Sequence, residues 1–170
     1  MKILLLVLLV LPLFPRWTQQ YDRYGAVPSQ NTIQEIHRYY GLRLSASGGS
    51  SPCGIRKLNL GFEIQREPTV DEARRLLVAC AEIYLKNINT SLNTRLFLIE
   101  YPFPIKRISL SINVHHSIHP VAFSSAQIAN GKFTCNSYSP KWTVVHEEPF
   151  ETSLQIVRDE ISLKTPRGNI

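Results

Sequence analysis

Cysteine, methionine and glycine are scarce in this chain, at three, one and eight of 170 residues. An odd set of cysteines (Cys53, Cys80 and Cys135) cannot pair completely within one chain, so a scaffold built on disulfides is excluded. No C-x-x-C, paired-cysteine zinc spacing or H-E-x-x-H occurs, which removes the usual sequence routes to a zinc centre. Nothing satisfies G-x-G-x-x-G or a Walker pattern, so the backbone cradle for a nucleotide phosphate is missing and no cofactor is expected. Internal repeats are absent as well. Charge is thin, at 19% of residues, and the net +6 is dispersed along the chain. Apart from adjacent pairs such as Arg56-Lys57, Arg74-Arg75 and Lys106-Arg107, the cations stand alone. A nucleic-acid binder gathers its cations into a stripe, so the pattern points to a solvated basic surface and to no nucleic-acid partner.

Long hydrophobic runs are missing too, except at the N-terminus. Met1-Lys2 is followed by an unbroken aliphatic run from Ile3 to Leu11, extended past Pro12 by Leu13 and Phe14. This is shorter than the roughly twenty residues a membrane-spanning helix needs, and it matches the apolar core of a signal segment. The chain then turns polar at Arg16, Thr18, Gln19 and Gln20. Residues 1–16 are therefore expected to be a signal segment or an N-terminal anchor, with Ile3–Phe14 as the possible membrane tether. Loss of that segment removes Lys2 and Arg16 and leaves a net charge of +4. No small-x-small triplet follows promptly, and Gly25-Ala26 is the nearest small pair, so cleavage and retention both stay open. The expected location is exported: periplasmic, associated with the cell envelope, or secreted.

With apolar residues at 44%, the remainder has enough material for a packed core. Residues 17–54 read as a polar linker, a short helix and a Gly/Ser-rich loop; residues 55–162 as an α+β domain; residues 163–170 as a flexible tail. Asn31 and Gln34 suggest a cap for the short helix, Ile33, Ile36 and Tyr40 share a face, and Gly41 stops it. The composition of Ser45–Pro52 resists regular structure. From Ile55 to Gln65, Leu58, Leu60, Phe62 and Ile64 alternate with polar residues, which predicts a strand with one wet face. Thr69 and Glu72 form a capping box for a helix from Val70 to Asn89, whose apolar stripe includes Ala73, Leu76, Leu77, Cys80, Tyr84 and Ile88.

Further strands are expected at Arg95–Glu100, Arg107–Val114, Val121–Ala129, Lys132–Tyr138 and Trp142–His146, with Asn130-Gly131 as a two-residue hairpin turn. Glu148-Pro149 opens a terminal helix with Phe150, Leu154, Val157 and Ile161 on one side. The fold class is α+β: an antiparallel sheet of four to six strands, with one long helix and a C-terminal helix packed on one face.

The stretch Pro68–Leu77, Asn87-Ile88-Asn89, Tyr101-Pro102-Phe103-Pro104 and His146-Glu147-Glu148-Pro149-Phe150 together resemble a group of small exported proteins of chlamydial-type intracellular bacteria. The resemblance implies export and carries no activity.

Among chemistry-bearing residues, His115, His116 and His119 form the one cluster with metal-ligand character. Neighbouring strand residues point to opposite faces, so all three meet one ion only if Pro120 turns the chain. Exposed loop histidines are the simpler reading. His146 beside Glu147 and Glu148 suggests acid–base chemistry, although adjacent strand residues diverge and Glu148 suits a helix N-terminus. Glu63 and Glu100 form a conceivable carboxylate pair. Cys53 and Cys135 would bridge in an oxidising compartment, and Cys80 reads as a small buried hydrophobe.

The function expected from these features is that of an exported, non-enzymatic binding or interaction protein. Its partner would be a protein or another envelope component, met through the Ser45–Pro52 loop or through Tyr101 and Phe103 at the double-proline corner. The alternatives are a metal-binding protein or metal-dependent hydrolase using the histidines, and a membrane-tethered structural protein.

Overall fold

The computed structural model describes residues 14–50, 54–115, 123–138 and 141–164. Helix α1 (Phe14–Tyr40) leads into strands β1 (Arg43–Ser50) and β2 (Lys57–Ile64), then helix α2 (Val70–Thr90) and a single-turn helix α3 (Leu92–Arg95). After a 3-10 turn at Ile105–Arg107 come β3 (Ile108–Val114), β4 (Ser125–Ala129), β5 (Lys132–Tyr138), β6 (Trp142–Pro149) and helix α4 (Phe150–Lys164).

The six strands form one sheet in sequence order. All neighbouring pairs are antiparallel except β2 and β3, which run parallel from Leu58↔Ile108 to Ile64↔Val114. The fold is α+β as the alternation implies, but the sheet is mixed. The parallel pair follows from connectivity, because the α2 excursion carries the chain back to the starting end of β2 before β3 begins.

One core cluster unites the inner face of the sheet with the helices. Leu58, Leu60, Phe62 and Ile64 of β2, Ile108, Leu110, Ile112 and Val114 of β3, and Ala126, Ile128, Phe133 and Cys135 beyond them all point the same way. Against them lie Leu77, Cys80, Ala81, Tyr84 and Ile88 of α2, with Phe150 and Val157 of α4 and Ile36 of α1. The Thr69–Glu72 capping box is present in both directions: Glu72 N donates to Thr69 Oγ1 at 3.1 Å and Thr69 N donates to Glu72 Oε2 at 3.0 Å. The helix ends one residue beyond the expected Asn89. Asn130 (φ 52°) and Gly131 (φ 76°) make the hairpin turn between β4 and β5, as their left-handed preference dictates.

Three elements differ from the sequence reading. The short helix at 31–40 is the C-terminal part of the much longer α1, which continues through Gly25 and Pro28. Pro28 has no N–H to give the carbonyl of Tyr24, and Thr94 Oγ1 donates to that oxygen instead, at 2.8 Å. Tertiary packing thus repairs the break that proline makes. Second, the Gly/Ser-rich stretch is a strand, with β1 lying antiparallel along β2 and every residue of it exposed. Its glycine is useful there, since a Cβ on Gly49 would stand 2.7 Å from the Lys57 carbonyl oxygen. Third, the strand expected at Arg95–Glu100 is replaced by α3 and a turn, with an isolated bridge between Ile55 and Leu98. Ser91 accepts from Thr94 N and caps that single turn.

Helix α1 and strand β1 share the core and the sheet of residues 55–162. Ile36 and Leu42 are fully enclosed, and the Tyr24 and Phe97 rings stack at 4.2 Å. Asn87 Nδ2 donates to Thr32 Oγ1 at 3.1 Å and to Glu35 Oε1 at 3.3 Å, which fixes α1 against α2.

Candidate functional site

Two regions hold unusual polar groups: a buried clamp on the inner side of the sheet and the open outer face. The clamp centres on Arg74, which belongs to α2 and is only 6% exposed. Its Nε donates to Glu148 Oε1 at 2.6 Å and an Nη donates to Oε2 at 3.3 Å, the bidentate fork that suits guanidinium to carboxylate. The other Nη donates to Asp71 Oδ1, and Ser153 of α4 donates its hydroxyl to Glu148 Oε1. His146 Nε2 lies 3.0 Å from Glu148 Oε2 and 3.4 Å from the Arg74 guanidinium. Below them, the Phe133 ring faces the guanidinium at 5.7 Å.

Burial alone would raise the Glu148 pKa. The hydrogen bonds from Arg74, Ser153 and His146 outweigh that and hold the carboxyl at about 2. Burial likewise opposes the charge on Arg74, yet the bonds to Glu148 and Asp71 raise its pKa above the ordinary value. The arrangement argues against nucleophilic catalysis. In a hydrolytic triad the imidazole bridges hydroxyl and carboxylate, whereas here the carboxylate sits between Ser153 and His146, so the ring cannot take the serine proton. Cys135, the register partner of His146, is fully buried and burial pushes its thiol up to about 12. The clamp joins α2, β6 and α4, and its chemistry is structural.

Sequence reasoning placed Arg74 off the apolar stripe on a solvated surface, and it set His146 beside Glu147 and Glu148 with Glu148 assigned to the N-terminus of the last helix. The structure instead sets His146 and Glu148 on the same inner side of β6, two residues apart, where they meet Arg74 from across 72 and 74 residues of chain. Glu147 points outward and pairs with Lys132 at 2.7 Å. The signal that could have revealed the clamp is the inner-face alternation of β6 continued through Glu148.

The outer face is different in kind. In register across it lie Gly61, Ser111, Gln127, Thr134 and Glu147, and beside that row Glu63, Asn113, Ser125, Asn136 and Val144. The side chains of Ser111, Asn113, Ser125, Gln127 and Asn136 make no hydrogen bond among the described residues. Two further outward polar atoms, Asn59 Oδ1 and Thr134 Oγ1, are buried without a partner. At one margin β6 exposes Trp142 (63%), Val144 and Val145.

A separate open cleft of about 420 Å³ lies where β1 and β2 meet the end of α1, lined by His37, Tyr40, Arg43, Glu63, Gln65 and Arg66 among others. Its charges are of mixed sign and partly engaged, with Arg66 bonded to Glu72 at 3.1 Å and His37 Nδ1 3.1 Å from the Leu42 carbonyl oxygen.

The remaining sequence-predicted residues scatter. His115 is exposed at the end of β3, while His116 and His119 lie outside the described residues. Among the described residues no group of three or more His, Cys, Asp or Glu is placed to hold a metal. Cys135 carries a free thiol and Cys53 lies outside the described residues. Glu100 pairs with Arg107 at 2.7 Å and Lys106 at 3.5 Å, not with Glu63. Tyr101 is exposed under the Arg95 guanidinium, 3.9 Å from its ring centre. Phe103 is a correction: it is 2% exposed, its N donates to Asn89 Oδ1 at 2.6 Å, and it belongs to the core rather than to a partner surface. A turn preceded by α2 and followed by β3 folds the aromatic ring inward, which its sequence neighbourhood does not reveal.

No family model, curated protein or solved structure matches this chain. Among the described residues no helix is long and apolar enough to cross a membrane, and nearly all of Ile3–Phe14 falls outside them.

Proposed function

We propose that this chain is an exported, non-enzymatic binding protein of the cell envelope or secreted space, and that the outer face of its sheet, which none of the described helices covers, contacts the partner. The observation that carries the reading is the one-sidedness of the fold. Every strand residue in the core cluster comes from the inner face, and the outer face presents hydroxyls and carboxamides that make no hydrogen bond among the described residues, with Trp142 exposed at its margin. The greasy leader supports export. The buried charges, which are where catalytic groups would be sought, satisfy one another within the clamp.

A photo-crosslinking residue placed at position 127 or 144 tests the assignment in cells that make the protein. Covalent adducts, whether protein or polysaccharide, are expected from these positions and not from the exposed helix positions 86 and 155. Equal labelling from both sides, or none from 127 and 144, would remove the outer face as the contact surface. Cell fractionation and mass spectrometry of the native N-terminus test export separately.

A further inference from the structure

The proposed contact face also has a chemistry, and the inference drawn from it rests on the reading just given. Across the central part of β3, β4 and β5, short of Ala129 and Lys132 at the hairpin end, the outward positions are Ser109, Ser111, Asn113, then Ser125, Gln127, then Thr134 and Asn136, and none of these side chains ionises at any ordinary pH. Charge flanks these strands: Glu63 of β2 stands beside Asn113, with Arg43 of β1 as its own register partner, while on the other flank Lys132 pairs with Glu147, and Lys57 Nζ donates to Asn130 Oδ1 at 3.4 Å. A site for phosphate or carboxylate needs a guanidinium or ammonium at its centre, and a site for a cation needs a carboxylate. An apolar partner needs an apolar patch. The central outward positions of β3, β4 and β5 meet none of these needs.

What it offers is a field of groups that both donate and accept. Hydroxyls and carboxamides do so, and five of them carry no hydrogen bond among the described residues. Strands stand about 4.8 Å apart, so the field from β3 to β5 is about 10 Å wide. Gly61 lets neighbouring hydroxyls close in at the edge of it, because a Cβ there would stand 3.1 Å from Ser111 Oγ and 3.2 Å from Ser45 Oγ. The two hydroxyls converge over the glycine where a side chain would otherwise fill the space. Thr134, 9% exposed, adds an unpartnered hydroxyl in the same row. At the β6 margin the indole of Trp142 supplies a flat apolar surface next to polar groups.

We propose that the outer face binds a neutral glycan: a chain of uncharged sugars whose hydroxyl or amide groups pair with Ser111, Gln127, Asn113 and Asn136 and whose ring C–H face stacks on Trp142. The association is reversible, and no bond is made or broken.

Titration calorimetry on the full chain tests this with chitotetraose, cellotetraose and maltotetraose as neutral probes and a sulfated heparin tetrasaccharide as the anionic one. At least one neutral probe is expected to bind saturably, with a Kd between about 10 µM and 1 mM, the range of weak but measurable sites. Gln127→Ala and Trp142→Ala should each weaken it about tenfold or more, the scale of about 1.4 kcal/mol. Lys86→Ala, on the far side, should leave it within about twofold. Backbone amide shifts of the wild-type protein should change along β2 to β5, which keeps the test decisive if a variant misfolds. The proposal is overturned if no neutral probe binds at about 10 mM, if the amide shifts fall elsewhere, or if only the sulfated probe binds. Failure here combined with protein adducts from position 127 refutes the glycan and leaves the contact face standing. Failure of both removes the face altogether.

Discussion

Arg74 is the residue whose role depends most on its surroundings. Its charge is compensated by Glu148 and Asp71, so removing it strands a buried carboxylate rather than deleting a surface cation. Arg74→Ala is expected to destabilise the fold by about 3–5 kcal/mol in urea titration, whereas Arg74→Met with Glu148→Leu should recover most of that loss. The same carboxyl sets an acid limit. Its folded pKa, about 2, lies below the ordinary 4.5, so its contribution is complete above the unfolded value and disappears as pH falls through the folded one. That contribution is on the order of 3 kcal/mol. Stability measured from pH 6 down to 2 should therefore fall steeply below about 4.5 in the native chain, and less so in the Arg74→Met/Glu148→Leu variant. A flat profile for the native chain would contradict the geometry of the clamp. Arg74 does not announce this role locally. The helix pattern puts Arg74 off the apolar stripe, and only the approach of β6 makes its position an interior one.

Among the elements, α2 was fully legible and α1 was not. The capping box, the apolar stripe and the length of α2 are all local properties, so the chain between Thr69 and Thr90 specifies them by itself. Helix α1 runs through a glycine and a proline that argue against it, and it persists because other elements supply what its own backbone lacks. Thr94→Val keeps the shape of that side chain and removes the hydroxyl that bonds to Tyr24 O. It should cost about 1–3 kcal/mol and increase amide exchange in the 24–32 part of α1, with little change in α4. Strand β1 shows the same dependence. Its glycines and serines carry no strand propensity, and the ladder to β2 imposes the conformation. Gly49→Ala is expected to loosen that ladder, since the new methyl meets the Lys57 carbonyl, and exchange along β1 should rise while the core melts near its original temperature.

At the scale of the whole molecule, the layers are the organising fact: helices on one side of the sheet and a polar face on the other. A truncated chain beginning at residue 55 tests whether α1 and β1 are essential to that packing. Without Ile36, Leu42 and the β1 ladder it should lose cooperative thermal unfolding or melt well below the full chain. Retention of the full melting temperature would show that the core is complete without them. The sequence by itself determined the α+β class, the inner and outer faces of β2 and β3, the hairpin turn at Asn130-Gly131 and the helix α2, because periodicity, capping and turn chemistry act over a few residues. Only the tertiary structure decided that β2 and β3 run parallel, that Phe103 is buried, that Arg74 meets Glu148, and that hydroxyls gather around Gly61. Those outcomes depend on which distant segments become neighbours, and a one-dimensional pattern contains the faces of each element without the order in which they meet.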